Sequence, residues 1–166
     1  PSLRIYLASI FSNIEKVYSY PIFKKKNLNL IKAAKTFTEK SLEINNCPTE
    51  TNFYVKKNKI EEINNNFDNK KFKIVIGAGS SGPSTRWITE KFYNLINKLN
   101  DTGNYYFFIL CGPDDKVISD EIISNVSKNN CLSLYKKNIE EIIPYLCSAN
   151  MYVGNDSFGS HVTSQS

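Results

Sequence analysis

Two short stretches of the sequence hold the residue types that phosphate chemistry needs. The first is Gly77-Ala78-Gly79-Ser80-Ser81-Gly82, followed by Pro83-Ser84-Thr85-Arg86-Trp87. Small residues leave backbone N–H groups accessible, the hydroxyls of Ser80, Ser81, Ser84 and Thr85 can donate, and the Arg86 guanidinium can grip a phosphate through two parallel bonds. The second stretch is Val153-Gly154-Asn155-Asp156-Ser157-Phe158-Gly159-Ser160-His161. There an apolar run gives way to a helix start. The first turn of a helix presents unpaired N–H groups at the positive end of its dipole, which suits a diphosphate. Ser157 adds a hydroxyl, and Asp156 can cap the helix, serve the ligand, or do both. Ser157 and His161 stand four apart, so they share a helix face and can both point into a cleft. No second His or Cys lies at ligand spacing from His161, so a metal site is not expected.

The glycines of the first stretch match GxGxxG directly after an apolar run, the pattern of a dinucleotide fold. Their surroundings argue against NAD. In a dinucleotide fold the last glycine packs inside the first turn of the helix, whereas here the helical pattern opens only near Thr89. The ribose-binding acid should end the next strand about 20 residues beyond the glycines. That distance lands near Asp101, in a loop, while the strand end carries Asp114. What remains is an anion-binding loop, with Trp87 expected as a packed aromatic beside it.

The elements that must position these loops are legible from the period of the apolar residues. Phe72 to Ile76, Tyr105 to Cys111, Cys131 to Tyr135 and Asn150 to Val153 are short apolar runs ending at turn residues, and they predict buried strands. Between them lie helical patterns. Phe92, Leu95, Ile96 and Leu99 share one face after Thr89, and Ile118 or Val117 with Ile122 and Val126 mark the next helix. Asn138 with Glu141 makes a capping pair ahead of Ile139, Ile142, Ile143 and Leu146, and Pro144 is expected to kink that helix. Alternating strands and helices with short connections predict right-handed βαβ units and a parallel sheet, whose ligands bind outside the carboxyl ends of the strands.

The first seventy residues differ in texture. Ile5 to Tyr20 is aromatic and mixed, Leu30 to Leu42 reads as an amphipathic helix, and Phe53 to Val55 as a short strand. The Asn/Lys-rich stretch from Lys56 to Lys71 is expected to hold one exposed helix. The chain of 166 residues suits one domain plus part of another, and its formal charge of +5 comes without a dense basic block, Lys24-Lys25-Lys26 being the tightest cluster. Nucleic acid is therefore not an expected partner. The cysteines Cys47, Cys111, Cys131 and Cys147 show no paired or CxxC spacing; Cys111 and Cys131 sit in apolar runs and read as buried thiols, which points to a reducing, cytoplasmic setting. No apolar run approaches the ~20 residues of a membrane span. A Pro at residue 1 and a stop at Ser166 inside a helical pattern read as a fragment of a longer protein.

Three segments together resemble glycosyltransferase family nine, the ADP-heptose:lipopolysaccharide heptosyltransferases. IVIGAGSSGPSTRWITEKF resembles the family's strand, small-residue loop, Lys-Arg-Trp-Pro and helix. LCGPDDKVISDEI is similar to its next strand, which ends in Gly-Gly-Pro and an acid. NIEEIIPYLCSANMYVGNDSFGSHVTSQS resembles its closing signature, in which Asp, Ser and His carry the spacing of Asp156, Ser157 and His161. The resemblance covers residues 72 to 166 well and residues 1 to 71 loosely. It implies an α/β fold: a Rossmann-like parallel sheet with flanking helices, the C-terminal half of a GT-B enzyme. Residues 1–45 would then be the end of an N-terminal acceptor domain, 46–71 a linker, and 72–166 a truncated nucleotide-sugar-binding domain.

The same resemblance implies a glycosyltransferase that moves a sugar, with heptose as the family's own, from a nucleoside diphosphate to a lipopolysaccharide or other lipid-linked saccharide. Transfer would be inverting and metal-free. No cofactor is implied; the nucleotide-sugar donor, ADP-linked in this family, is a substrate. Ser80, Ser81, Thr85, Arg86, Asp156, Ser157, Gly159 and His161 would hold the donor diphosphate, and Asp114 or Asp115 would reach the nucleoside. The general base would lie in the N-terminal domain outside this chain, leaving the fragment inactive alone. A cytoplasmic protein with peripheral contact at the inner membrane follows from the acceptor class. The sequence departs from the family at Phe158, where Gly is usual, at Thr85, where Lys is common, and at Ile88, where Pro follows Trp. A Rossmann-type NAD-dependent oxidoreductase and a non-catalytic nucleotide-binding relative are the alternatives.

Overall fold

The structure is a computed structural model that describes residues 3–12, 14–18, 29–50, 54–68, 70–80 and 86–166. The chain divides into two compact units, residues Pro1–Thr51 and Asn52–Ser166. The first holds helices α1 (Leu3–Phe11) and α2 (Leu30–Leu42). Helix α2 was legible in the sequence, and Asn29 starts it by accepting the Lys32 amide at 3.1 Å. Helix α1 was not foreseen: of its described residues only Arg4 and Ser9 are polar, so no apolar stripe stands out, and Tyr6, Leu7, Ile10 and Phe11 are exposed.

The second unit carries the predicted α/β pattern. Its elements are α3 (Lys57–Asn66), β1 (Phe72–Gly77), α4 (Thr89–Asn100), β2 (Tyr105–Leu110), α5 (Lys116–Ser124), β3 (Cys131–Ser133), α6 (Ile139–Ser148), β4 (Met151–Gly154) and α7 (Phe158–Thr163). The strands pair in the order β3-β2-β1-β4, all parallel. Because β1 and β2 are covered on both faces, they are apolar almost throughout. One face is packed by Phe92, Ile96 and Ile122 from α4 and α5, the other by Ile63, Ile142, Leu146 and Val162 from α3, α6 and α7. Each such buried side chain stabilises the layer by about 1.5–3 kcal/mol.

Several local expectations change in detail. Strand β3 is three residues long, because the chain turns at Leu134 instead of running to Tyr135. Residues 54–56 form no strand, and Phe53 lies outside the described residues. The α3 stretch, expected as an exposed helix, buries Ile63 and packs against α6. Its otherwise polar face also reaches inward: Lys73 on β1 is buried and donates through Nζ to Asn64 Oδ1 at 2.6 Å. Burial holds the Lys73 ammonium below its ordinary pKa. Helix α6 begins at the foreseen capping box, with Asn138 Oδ1 accepting from the Glu141 amide at 3.0 Å and Glu141 Oε2 from the Asn138 amide at 2.9 Å. It continues as one element through Pro144, which is buried. Among the described residues no helix is long and apolar enough to cross a membrane.

Candidate functional site

The strand order sets the place of the site. From β1 the chain moves outward to β2 and β3, then returns to the other side of β1 for β4. Loops leaving β1 and β4 therefore diverge, and the crevice beyond their carboxyl ends is where open parallel sheets take ligands. Close packing of the two strand ends depends on glycine. Gly77 and Gly154 are register partners, and a Cβ on Gly154 would lie 2.5 Å from the Gly77 carbonyl oxygen and 2.6 Å from its Cα. Gly159 lets α7 lie against Leu110 and Tyr152, where a Cβ would meet the Tyr152 ring at 2.8 Å.

Asn155 ties the diverging loops together, a role the sequence reading missed. Its backbone N–H donates to the Gly77 carbonyl at 2.8 Å, and its side-chain Nδ2 donates to the Ala78 carbonyl at 2.9 Å. Its Oδ1 accepts from the Trp87 amide at 2.9 Å, and its own carbonyl accepts from the Tyr152 hydroxyl, also at 2.9 Å. Asn155 is 5% exposed, so these bonds are shielded from water. The Trp87 side chain is not the packed plug expected: it is 44% exposed, meets Phe92 edge to face at 5.2 Å, and carries the Lys91 ammonium over its ring.

A cleft of about 970 Å³ opens at these strand ends. Among the residues picked from sequence it is lined by Ser80, Arg86, Asp114, Asp115, Ser157 and Gly159. Ser81 and Thr85 lie outside the described residues. Asp156 faces a smaller cleft of about 310 Å³ that it shares with Arg86, Trp87 and Phe92. His161 lines neither cleft; it is exposed, with Nε2 3.6 Å from Asp156 Oδ1. Its spacing from Ser157 put it on the right helix, but the six-residue α7 turns that side chain outward. The large cleft also takes Lys137, Tyr135, Ile139 and Phe158, which sequence did not single out as lining. Ile139 and Phe158 are exposed apolar residues on the first turns of α6 and α7.

Arg86 is held firmly. Its Nε donates to the Ser80 carbonyl at 2.6 Å, its Nη2 contacts the same carbonyl, and Nη2 also stands 3.1 Å from Asp115 Oδ1. Asp115 ends a single 3₁₀ turn, Pro113–Asp115, immediately before α5, and its Oδ2 accepts from the Gly112 amide at 3.3 Å. Ser157 stands before α7, with its amide on Ser160 Oγ at 3.2 Å and its Oγ 3.2 Å from the Tyr152 hydroxyl. Since the Tyr152 proton goes to the Asn155 carbonyl, Ser157 is the donor of that pair. Burial pushes the Tyr152 phenol up, opposed by the Ser157 bond and helped by Asp156. At the cleft floor, burial and the Asp115 charge push the Cys111 thiol up to about 12, against the Gly79 amide and Arg86, so it stays a protonated wall residue. Among the described residues no three His, Cys, Asp or Glu side chains gather to hold a metal ion.

The sequence model of glycosyltransferase family 9 (heptosyltransferase) matches residues 13–165. A comparison with curated proteins gave no significant match. Among solved structures, a family 9 glycosyltransferase from Veillonella parvula superposes with a TM-score of 0.68 at 15% identity, over 95% of this chain and 45% of that one. Escherichia coli heptosyltransferase WaaC with ADP-2-deoxy-2-fluoro heptose superposes with a TM-score of 0.63 at 18% identity, over 96% of this chain and 47% of that one. E. coli ADP-heptose lps heptosyltransferase II gives a TM-score of 0.60 at 21% identity, over 69% of this chain and 36% of that one. The chain thus spans less than half the length of these relatives. With the family model matched over nearly all its residues and a parallel sheet of the same fold, the chain belongs to glycosyltransferase family 9.

Proposed function

We propose that the large cleft binds the diphosphate of a nucleotide-sugar donor, and that the chain is the donor-binding part of a glycosyltransferase. The observation that carries this reading is convergence. Arg86 from the β1 loop, Asp114 and Asp115 from the β2 turn, and Ser157 with Gly159 from the start of α7 line one cavity outside the carboxyl ends of the strands. Arg86 offers a fixed cation and Lys137 a second. Of the first-turn amides of α7, Ser160 donates to the Ser157 carbonyl at 3.1 Å, which leaves those of Phe158 and Gly159 to meet negative charge. Ser157 contributes by turning its proton from Tyr152 to a phosphate oxygen. Tyr135, Ile139 and Phe158 add apolar lining to the same cleft, a surface for a nucleobase.

The donor is read as ADP-linked heptose because two of the solved relatives are named for ADP-heptose or hold an ADP-heptose analogue. The acceptor is read as a lipopolysaccharide-type saccharide, met at the cytoplasmic face of the inner membrane by peripheral contact. Transfer is inverting and needs no metal, with Arg86, Lys137 and the α7 amides stabilising the departing diphosphate. Residues 1–45 are read as the end of the acceptor domain and 46–71 as the linker, whose helix α3 is packed onto α6 of the donor-binding unit, and the general base is read as coming from elsewhere in the protein.

Thermal unfolding of the protein with ADP, UDP, GDP, NAD or buffer alone tests the reading. A ligand that binds only the folded form at 100 times its Kd adds about 2.7 kcal/mol. Stabilisation by ADP that is lost in Ser157→Ala or Arg86→Ala is the expected result. Selectivity for UDP or GDP would keep the transferase and remove heptose. Stabilisation by NAD alone would restore the dinucleotide reading, and none at all would leave a non-catalytic relative.

A further inference from the structure

The two neighbouring acids of the β2 turn are engaged differently. Asp114 is exposed at the cleft. The Asp115 carboxylate is 12% exposed and has both oxygens in use, Oδ1 at 3.1 Å from Arg86 Nη2 and Oδ2 accepting from the Gly112 amide at 3.3 Å. The chain makes room for it at Gly79, where a Cβ would lie 2.5 Å from Asp115 Oδ2. The guanidinium is therefore clamped between the Ser80 carbonyl of the β1 loop and the Asp115 carboxylate of the β2 turn. Neither of these bonds uses the Nη1 N–H pair.

We propose that Asp115 is a positioning residue, not a nucleoside contact: it fixes the Arg86 guanidinium on the cleft wall so that a diphosphate meets it already oriented. The inference rests on the donor reading. A flexible Arg loses rotamer freedom when it grips a phosphate, and an internal carboxylate that has already ordered it removes that loss from binding. Coulomb interaction alone predicts the opposite sign, because a carboxylate beside the site repels a diphosphate. Removing the Asp115 charge while keeping its shape thus separates the two effects. Positioning predicts weaker binding, and simple repulsion predicts tighter binding.

The test is calorimetric titration of ADP, adenosine and inorganic pyrophosphate into the wild type, Asp115→Asn, Asp114→Asn, Arg86→Gln and the Arg86→Gln/Asp115→Asn double variant. Asp115→Asn is expected to weaken ADP and pyrophosphate about tenfold while leaving adenosine unchanged. In the Arg86→Gln background the same substitution should add nothing. Asp115→Glu keeps the charge but pushes the carboxylate toward Gly79, and it should show the same pattern should Asp115→Asn fail to fold. Weakened adenosine binding, or ADP binding that is unchanged or tighter in Asp115→Asn, overturns the inference and leaves the donor reading standing. Pyrophosphate binding with this pattern but no nucleotide binding overturns the donor reading alone. A wild type that binds neither overturns both.

Discussion

Asn155→Ala is the substitution with the most to say about how the site is built. It keeps the backbone bond from residue 155 to the Gly77 carbonyl and deletes two side-chain bonds at once. The Ala78 carbonyl loses its Nδ2 donor at 2.9 Å, and the Trp87 amide loses its Oδ1 acceptor at 2.9 Å. Ala78 is 1% exposed, so its carbonyl has no route to water, and an orphaned buried group costs about 1–3 kcal/mol. Trp87 is half exposed and its amide can turn to solvent, so that loss is nearer the net value of a hydrogen bond, about 1 kcal/mol. The sum is about 2–4 kcal/mol. Trp87 is the sole tryptophan of the chain, which makes its fluorescence a reporter of the second unit and of this loop together. With a urea m-value of about 2 kcal/mol per molar, the midpoint should fall by about 1–2 M. The native emission should also shift, because the Trp87 backbone is no longer pinned. A midpoint within about 0.2 M of wild type with an unchanged spectrum would refute the claim that Asn155 joins the β1 and β4 loops.

Other predictions follow from single contacts. Gly154→Ala drives a methyl into the Gly77 backbone, which cannot rotate away, and should cost about 3 kcal/mol in chemical unfolding, the upper end of overpacking; a loss below about 1 kcal/mol would contradict the β1–β4 approach. Stability should fall from pH 9 upward. Burial raises the Cys111 and Cys131 thiols from 9.0 to about 12, so the unfolded thiols ionise first and the folded form loses about 1.4 kcal/mol per pH unit for each thiol between those values. Lys73 acts in the other direction, its lowered folded pKa adding stability as pH rises toward 10.5. Unfolding of Cys131→Ala should therefore show a shallower alkaline loss than wild type, and an equal slope would contradict the assignment. Ser157→Ala should leave stability within about 1 kcal/mol, since only one partly exposed hydroxyl pair is lost, yet weaken ADP several-fold; a change in stability without a change in affinity would make Ser157 structural only.

The fold of the second unit could be read in advance because its signals are local. The apolar runs from Phe72 and Tyr105 are buried on both faces, and the Asn138–Glu141 capping box is a contact between neighbours in sequence. Cleft-lining residues were legible where a backbone motif carries them, as at Arg86 and Ser157. What stayed hidden depends on register and on side chains meeting across the sheet. Asn155 is unremarked in sequence because three of its four partners, Gly77, Ala78 and Trp87, are far away in the chain and are brought near by the pairing of β1 with β4. The split between Asp114 and Asp115 turns on which carboxylate the 3₁₀ turn aims at Arg86. Lys137 enters the cleft only because β3 stops early and the chain turns back toward α6. His161 shows the limit of helical spacing: four residues from Ser157 fixes the turn but not where the side chain ends.

A crystal structure of the protein with ADP is the most direct test of whether the cleft at the strand ends receives a nucleoside diphosphate. The diphosphate should lie between Arg86, Ser157 and the first turn of α7, with the base against Tyr135, Ile139 and Phe158. ADP seated away from the cleft, or in the smaller one against Trp87 and Asp156 with Arg86 still engaged only by Ser80 and Asp115, would contradict it.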